Sequence, residues 1–328
     1  MADEFVRVRL TRIEDSDLSL FDFDYDLTMM VFLLDAENQV YARYGGRDGR
    51  DADNRQSLEG LKYTMQSVLE MHGRKAKRFA PRAETKPLYA RDVTGWYGGG
   101  CMHCHQVQEA INDKLKSAGE WSCDQIWRYP LPENIGLRLE VDRGNVVERI
   151  LLGSPASRVG LQPGDVLETL GVVPIHSFAD AQLALRRAPS SGALELAWRR
   201  GTEHMSATVE LPHHWKKSDI SWRASLRWRY VPSLPLGGEN LDASARQARG
   251  LSPRQLAFRQ GDRLKTYARE AGFQPGDVII AIDDMAPEMT SDELRAYVRR
   301  EYLVGDVVVF TVLREGNRVK IALTLRNQ

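Results

Sequence analysis

The feature that most constrains this chain is an internal repeat. Residues 158–167 read Arg-Val-Gly-Leu-Gln-Pro-Gly-Asp-Val-Leu, and residues 270–279 read Glu-Ala-Gly-Phe-Gln-Pro-Gly-Asp-Val-Ile. Gly164 and Gly276 stand 112 positions apart. Solenoid units recur every 20–50 residues or so, so this spacing predicts two tandem copies of one domain, over 132–211 and 250–326. The patterns that follow agree. After the first copy of the motif, a helix is expected over 178–187 and strands over 193–199 and 204–211. After the second, a helix is expected over 291–300 and strands over 306–314 and 318–325.

The motif has a physical sense. In the first copy, small residues start a short helix, Gly160 ends it at positive φ, and Pro163-Gly164 makes a tight turn. Asp165 caps that turn, and Val166 and Leu167 enter a core strand. Gly153-Ser154-Pro155-Ala156 followed by 160–167 resembles the bacterial PDZ signature. The resemblance implies peptide capture by β-augmentation, with a terminal carboxylate held on loop N–H groups. It places Ile135-Gly136-Leu137 in the carboxylate loop and a peptide-pairing strand over 137–141. Expected peptide-binding residues are therefore Ile135, Gly136, Leu137, Arg138, Leu139 and Leu183, with Leu185 also facing groove or core. In the second copy Leu256-Ala257-Phe258 takes the equivalent stretch and lacks glycine, so that copy reads as a packing or docking module. No Gly-x-Ser-Gly-Gly or Gly-x-Ser-x-Gly segment occurs in the sequence. The expectation is peptide recognition without the protease that such repeats usually accompany.

Cys101-Met102-His103-Cys104-His105 is a CxxCH pattern, the spacing of c-type haem attachment. Two thiols three apart reach two vinyl groups, and His105 then serves as axial ligand. Met71, His72, Met102, His213 and His214 are distal candidates by residue type alone. Two alternatives use the same residues: a zinc site from Cys101, Cys104, Cys123 and His103, or a dithiol–disulfide pair. Gln106 to Leu115 reads as a helix.

The N-terminal stretch reads as a strand over 5–13, an aspartate-rich loop, and a hairpin of strands 28–34 and 39–44. A helix follows from Ser57, its N-cap. This order resembles the C-terminal half of a thioredoxin-like fold. Residues 73–100 carry Arg74, Lys75, Lys77, Arg78, Arg82, Lys86 and Arg91 and read as a basic linker. Between the repeats, Trp215, Trp222 and Trp228 alternate with basic residues, and 221–228 has the period of a strand.

Forty-five basic and 45 acidic residues cancel, which argues against a nucleic-acid binder. No apolar run has the length of a transmembrane span. Three cysteines are too few for a disulfide framework. No signal peptide is visible.

The combination resembles the bacterial thioredoxin-fold/PDZ (seleno)protein family. The resemblance rests on 23–28, 41–45, 57–60, 101–107 and 218–223. It implies an upstream redox unit, and a selenocysteine codon read as a stop would explain a start at Met1. The expected fold class is α+β multidomain. It comprises a partial thioredoxin-like module (1–72), the linker (73–100), a CxxCH helical segment (101–131), PDZ domain 1 (132–212), a connector (213–249) and PDZ domain 2 (250–328). The expected function is a periplasmic or otherwise extracytoplasmic redox-associated scaffold. Its first PDZ domain binds peptides, its CxxCH motif holds haem c, and a redox partner follows. A thiol–disulfide oxidoreductase and a zinc-stabilised interaction module are the alternatives, and enzymatic activity stays open.

Overall fold

A computed structural model describes residues 1–73, 86–95 and 102–327. The chain divides into two compact units. The first comprises Met1–Ser218 with Arg223–Ser225, and the second comprises Asp219–Trp222 with Leu226–Gln328.

The first unit begins with an antiparallel hairpin of β1 (Met30–Leu34) and β2 (Val40–Gly45), followed by α1 (Leu58–Gly73). The Ser57 hydroxyl caps α1 by accepting from the Gly60 N–H at 2.9 Å. Short α2 (Ala90–Thr94) and longer α3 (Cys104–Ser117) come next. The first repeat then lays down β3 (Leu137–Leu139), β4 (Val147–Ile150), α4 (Pro155–Arg158), β5 (Val166–Leu170) and β6 (Val173–Pro174). It finishes with α5 (Phe178–Arg187), β7 (Gly192–Arg200) and β8 (Glu203–Leu211). One sheet runs β6-β5-β7-β8, and β3 pairs with β4 in a second. Period-two alternation explains β7: Leu194, Leu196 and Trp198 all point into the core. The turn chemistry also appears as expected. Gly164 adopts φ +89°, and the Asp165 carboxylate accepts from the Gln162 N–H at 2.8 Å.

The second unit repeats this plan. It holds α6 (Ala224–Tyr230, of which 224–225 belong to the first unit), β9 (Gly238–Asn240), α7 (Ala243–Gln247), β10 (Phe258–Gln260) and α8 (Thr266–Glu270). It ends with β11 (Val278–Ile282), α9 (Ser291–Glu301), β12 (Val307–Arg314) and β13 (Asn317–Thr324). Its sheet runs β13-β12-β11-β10-β9. The core gathers Phe258, Ile279, Leu294, Val298, Phe310 and Leu323. The repeat extends to an ion pair the sequence analysis missed. Arg200 forks onto Asp165 with two bonds of 2.8 Å, and Arg314 does the same to Asp277. Each arginine also donates to the glycine carbonyl ahead of the turn, Gly160 or Gly272. A planar guanidinium matches a carboxylate in two places, so this pair locks turn to hairpin.

Several expectations are corrected. Residues 6–10 form no strand, and Val6 and Val8 are 94% and 77% exposed. The thioredoxin-like module reduces to the two-stranded β1–β2 hairpin and α1, because among the described residues no third strand joins that sheet. The stretch 221–228 contains no strand; Ala224 opens a helix instead. Asp24 and Asp26 lie in the expected aspartate-rich loop and are buried there. In the second repeat, the strand equivalent to β3 is β9, not 256–258. Just as β4 follows β3 into the next ladder, β10 pairs with β9 on one side and β11 on the other. The glycine missing from 256–258 is thus present at Gly237 and Gly238. Most of the basic linker, 74–85 and 96–100, lies outside the described residues.

Candidate functional site

The site follows from one strand edge in each repeat. In the first, the Leu151 N–H donates to the Gly136 carbonyl and the Glu140 N–H donates to the Val146 carbonyl. Both groups face β4. A trans peptide points its C=O and N–H in opposite directions, so the Leu137 N–H and the Leu139 C=O face the other way, toward the free edge. This is the edge a β-augmenting peptide would use.

The outward carbonyl at the end of that edge is already taken. The Arg55 guanidinium donates to the Leu139 carbonyl at 3.1 Å and to Asp48 at 3.1 Å, and it also pairs with Glu133. Its planar face lies 4.8 Å from the centre of the Phe178 ring, at the start of α5. Arg55 is only 3% exposed. Burial opposes ionisation of Asp48, yet bonds from Arg50, Asn54 and the nearby Arg55 outweigh it and hold the carboxyl well below its usual range. Burial pushes the Glu133 carboxyl up, with Arg55 opposing.

The helix beside this edge is covered as well. Residues 178–185 of α5 are all buried. The Arg43 N–H donates to Asp180 at 2.9 Å, the Ser177 hydroxyl donates to the Arg43 carbonyl, and Gln182 donates to Asp24 at 3.0 Å. Burial, offset in part by Arg43, pushes Asp180 up to about 7. Asp24 is buried and paired with Arg223 by bonds of 2.6 and 2.7 Å, and Ser225 donates twice to Asp26.

The peptide-binding residues expected from sequence are placed accordingly. Ile135, Leu137, Leu139 and Leu183 are core side chains, none more than 4% exposed, as is Leu185. Gly136 takes φ +80° beneath Ser154 and Leu151. Arg138 is half-buried and paired with Glu148 at 2.8 Å.

The second repeat differs. The Gly261 N–H donates to the Gly237 carbonyl and the Leu241 N–H donates to the Ala257 carbonyl, both across to β10. The Gly238 N–H and the Asn240 C=O therefore face the free edge, and residues 238–240 are exposed. Asn240 exchanges two bonds with Ser291 at the start of α9, which holds the helix beside the strand. Beside this edge opens a cleft of about 520 Å³, lined by residues 233–237, by Arg263, Leu264 and Lys265, and by Arg295 from α9. Arg263 and Lys265 are exposed. Arg295 reaches across to the Leu236 carbonyl at 3.3 Å. No local motif marks these cations, but the repeat carries a signal for one of them. Arg295 lies 112 positions after Leu183, one full repeat on.

The described part of the cysteine motif is placed as follows. Cys101 lies outside the described residues. Cys104 opens α3 and packs partly buried against the cluster of Leu18, Tyr25, Met102 and Val107. Burial pushes its thiol up, which disfavours a thiolate. His105 bonds Glu109 at 2.9 Å and stacks on His103. Cys123 is exposed. Among the described residues no group of three or more His, Cys, Asp or Glu side chains is placed to hold a metal ion.

No protein-family model matches the chain. A probable periplasmic DegP-like serine endoprotease of Hahella chejuensis is 29% identical over 203 residues, 58% of this chain and 40% of that protein. The putative serine protease HhoA of Synechocystis is 39% identical over 71 residues, 22% of this chain and 18% of that protein. The periplasmic serine endoprotease DegP of Escherichia coli is 23% identical over 150 residues, 46% of this chain and 28% of that protein. The chain thus spans less than half the length of these relatives. Among solved structures, the HtrA3 PDZ domain bound to a phage-derived ligand is 26% identical, covering 24% of this chain and 83% of that one, with TM-score 0.20. The HtrA-type protease AlgW with a tripeptide is 14% identical, covering 60% and 68%, with TM-score 0.29.

These relatives overturn the resemblance to a thioredoxin-fold/PDZ (seleno)protein family. They are DegP/HtrA-type serine endoproteases, so the haem c scaffold and the thiol–disulfide oxidoreductase fall with that resemblance. The PDZ content expected from the repeat motif stands. The extracytoplasmic location expected from the sequence agrees with these periplasmic relatives. Among the described residues no helix is long and apolar enough to cross a membrane.

Proposed function

We propose that this chain is a periplasmic peptide receptor related to the DegP-type endoproteases. It takes an extended peptide with a free C-terminal carboxylate at the second repeat. One observation carries this reading: the exposed edge of β9 starts at Gly238, next in the chain to Gly237 of a cleft lined by Arg263, Lys265 and Arg295. The edge supplies main-chain hydrogen bonds, Leu234, Leu236 and Leu264 supply an apolar wall, and the cations supply a field for an anion. Arg295 already donates to the Leu236 carbonyl, so an arriving carboxylate meets a guanidinium held in the cleft rather than one that must be ordered.

The test uses the full chain and a fluorescent hexapeptide, Ala-Asp-Glu-Ala-Leu-Val, as free acid and as C-terminal amide. Anisotropy titration should show the free acid binding about tenfold tighter than the amide, roughly one charge-assisted hydrogen bond's worth. Lys265→Glu with Arg295→Glu should abolish that difference. Equal binding of acid and amide, or binding indifferent to the charge reversal, refutes the reading.

A further inference from the structure

The two repeats differ at the strand edge: the second exposes it, and in the first the chain itself takes the outward Leu139 carbonyl. The segment that takes it is residues 46–55. Gly46 abuts the Phe178 ring so closely that a Cβ there would clash with it. Asp48 accepts from the Arg50 N–H at 2.9 Å and also binds Asn54, which folds the segment back on itself. Arg55 then projects between the start of α5 and the end of β3. Its N–H takes the Leu139 carbonyl, the outward-facing acceptor that a paired peptide strand would otherwise satisfy with its own backbone N–H. Asp48 and Glu133 neutralise the guanidinium, and Phe178 stacks on it. An arginine fully enclosed in this way is not a surface side chain that happens to fall across a groove.

We infer that the first repeat carries a second, masked peptide site, in which Arg55 stands in for the backbone of an extended peptide ligand. The ligand class is the one proposed for the second repeat, and the inference rests on that reading of how the edges are used. The chain then holds one open and one internally occupied receptor. Loosening of residues 46–55 is the step that converts one site to two.

The experiment is calorimetric titration of the full chain with the same free-acid hexapeptide, counting sites. The wild type should bind one equivalent and Arg55→Ala two. Arg55→Ala combined with Arg295→Glu should return to one, now at the first repeat. Asp48→Asn, which loosens Arg55 without removing it, answers the question again should Arg55→Ala fail to fold. Where the wild type binds one equivalent, a folded Arg55→Ala or Asp48→Asn protein that still binds only one overturns the inference, as do two sites in the wild type. No site in the wild type and one in Arg55→Ala would refute the proposed open receptor while upholding the masked one. No site in either refutes both.

Discussion

Arg223→Ala removes the one cation that the structure places against two buried carboxylates. Arg223 bonds both oxygens of Asp24, lies 3.7 Å from Asp26 and donates to the Tyr129 carbonyl at 2.7 Å. Arg223, Asp24 and Asp26 are 5%, 3% and 7% exposed, so water cannot replace the lost partner. Breaking a buried pair by removing one member costs about 3–5 kcal/mol, because the remaining charge stays buried. In a body of this size that lowers the midpoint by roughly 10 °C. The loss should also depend on pH. Burial already raises the Asp24 carboxyl above its usual value despite Arg223, and losing Arg223 raises it further. A raised carboxyl contributes stability below its unfolded value and loses it as pH rises through the folded value. The folded variant therefore takes up a proton at Asp24 that the unfolded chain does not, and the deficit should be smaller at pH 5 than at pH 7. Urea unfolding followed by circular dichroism at pH 5, 6 and 7 measures both quantities. A loss under about 1 kcal/mol at pH 7, or one that is flat with pH, would show that Asp24 and Asp26 do not depend on Arg223.

Two further outcomes follow from other buried contacts. Asp180, pushed up to about 7 by burial, makes the wild type lose stability as pH rises from about 4 to 7; Asp180→Asn should flatten that stretch of the stability–pH curve, and an unchanged slope would assign it elsewhere. Gly136→Ala forces a Cβ against the Ser154 side chain at φ +80° and should cost about 3 kcal/mol in chemical denaturation, against about 1 kcal/mol for Gly201→Ala, where φ is +60° but nothing lies within 4 Å; equal losses would show that close approach adds nothing at Gly136.

The protease relatives overturn the haem c scaffold; α3 shows how Cys104 packs. A five-residue pattern specifies spacing, but whether its thiols face solvent is decided by what packs on the helix. Leu18, Tyr25 and Met102 gather around Cys104, and two of those three are distant in sequence. The strand expected at 221–228 failed similarly. Alternation of Trp and Arg matched period two, yet the Ser225 N–H and hydroxyl both go to Asp26, 199 residues away, and the backbone there turns into a helix. Leu183 illustrates the opposite case. Its burial was among the expected options, but not the burial of Asp180 and Gln182 on the other faces of α5, which needs Arg43 and Asp24 as partners.

The order of residues alone sets the tandem repeat, the Pro-Gly-Asp turns, and the helix and two strands that follow each. Those elements depend on bonds and periodicities within a few positions, such as Asp165 to the Gln162 N–H and Ser177 to the Asp180 N–H. Which repeat keeps an open strand edge is settled only when the chain is folded. Arg55 meets the Leu139 carbonyl across 84 residues, and Arg295 meets the Leu236 carbonyl across 59. No local pattern encodes such meetings, because an arginine satisfies a carbonyl wherever the packing of the rest of the chain delivers it.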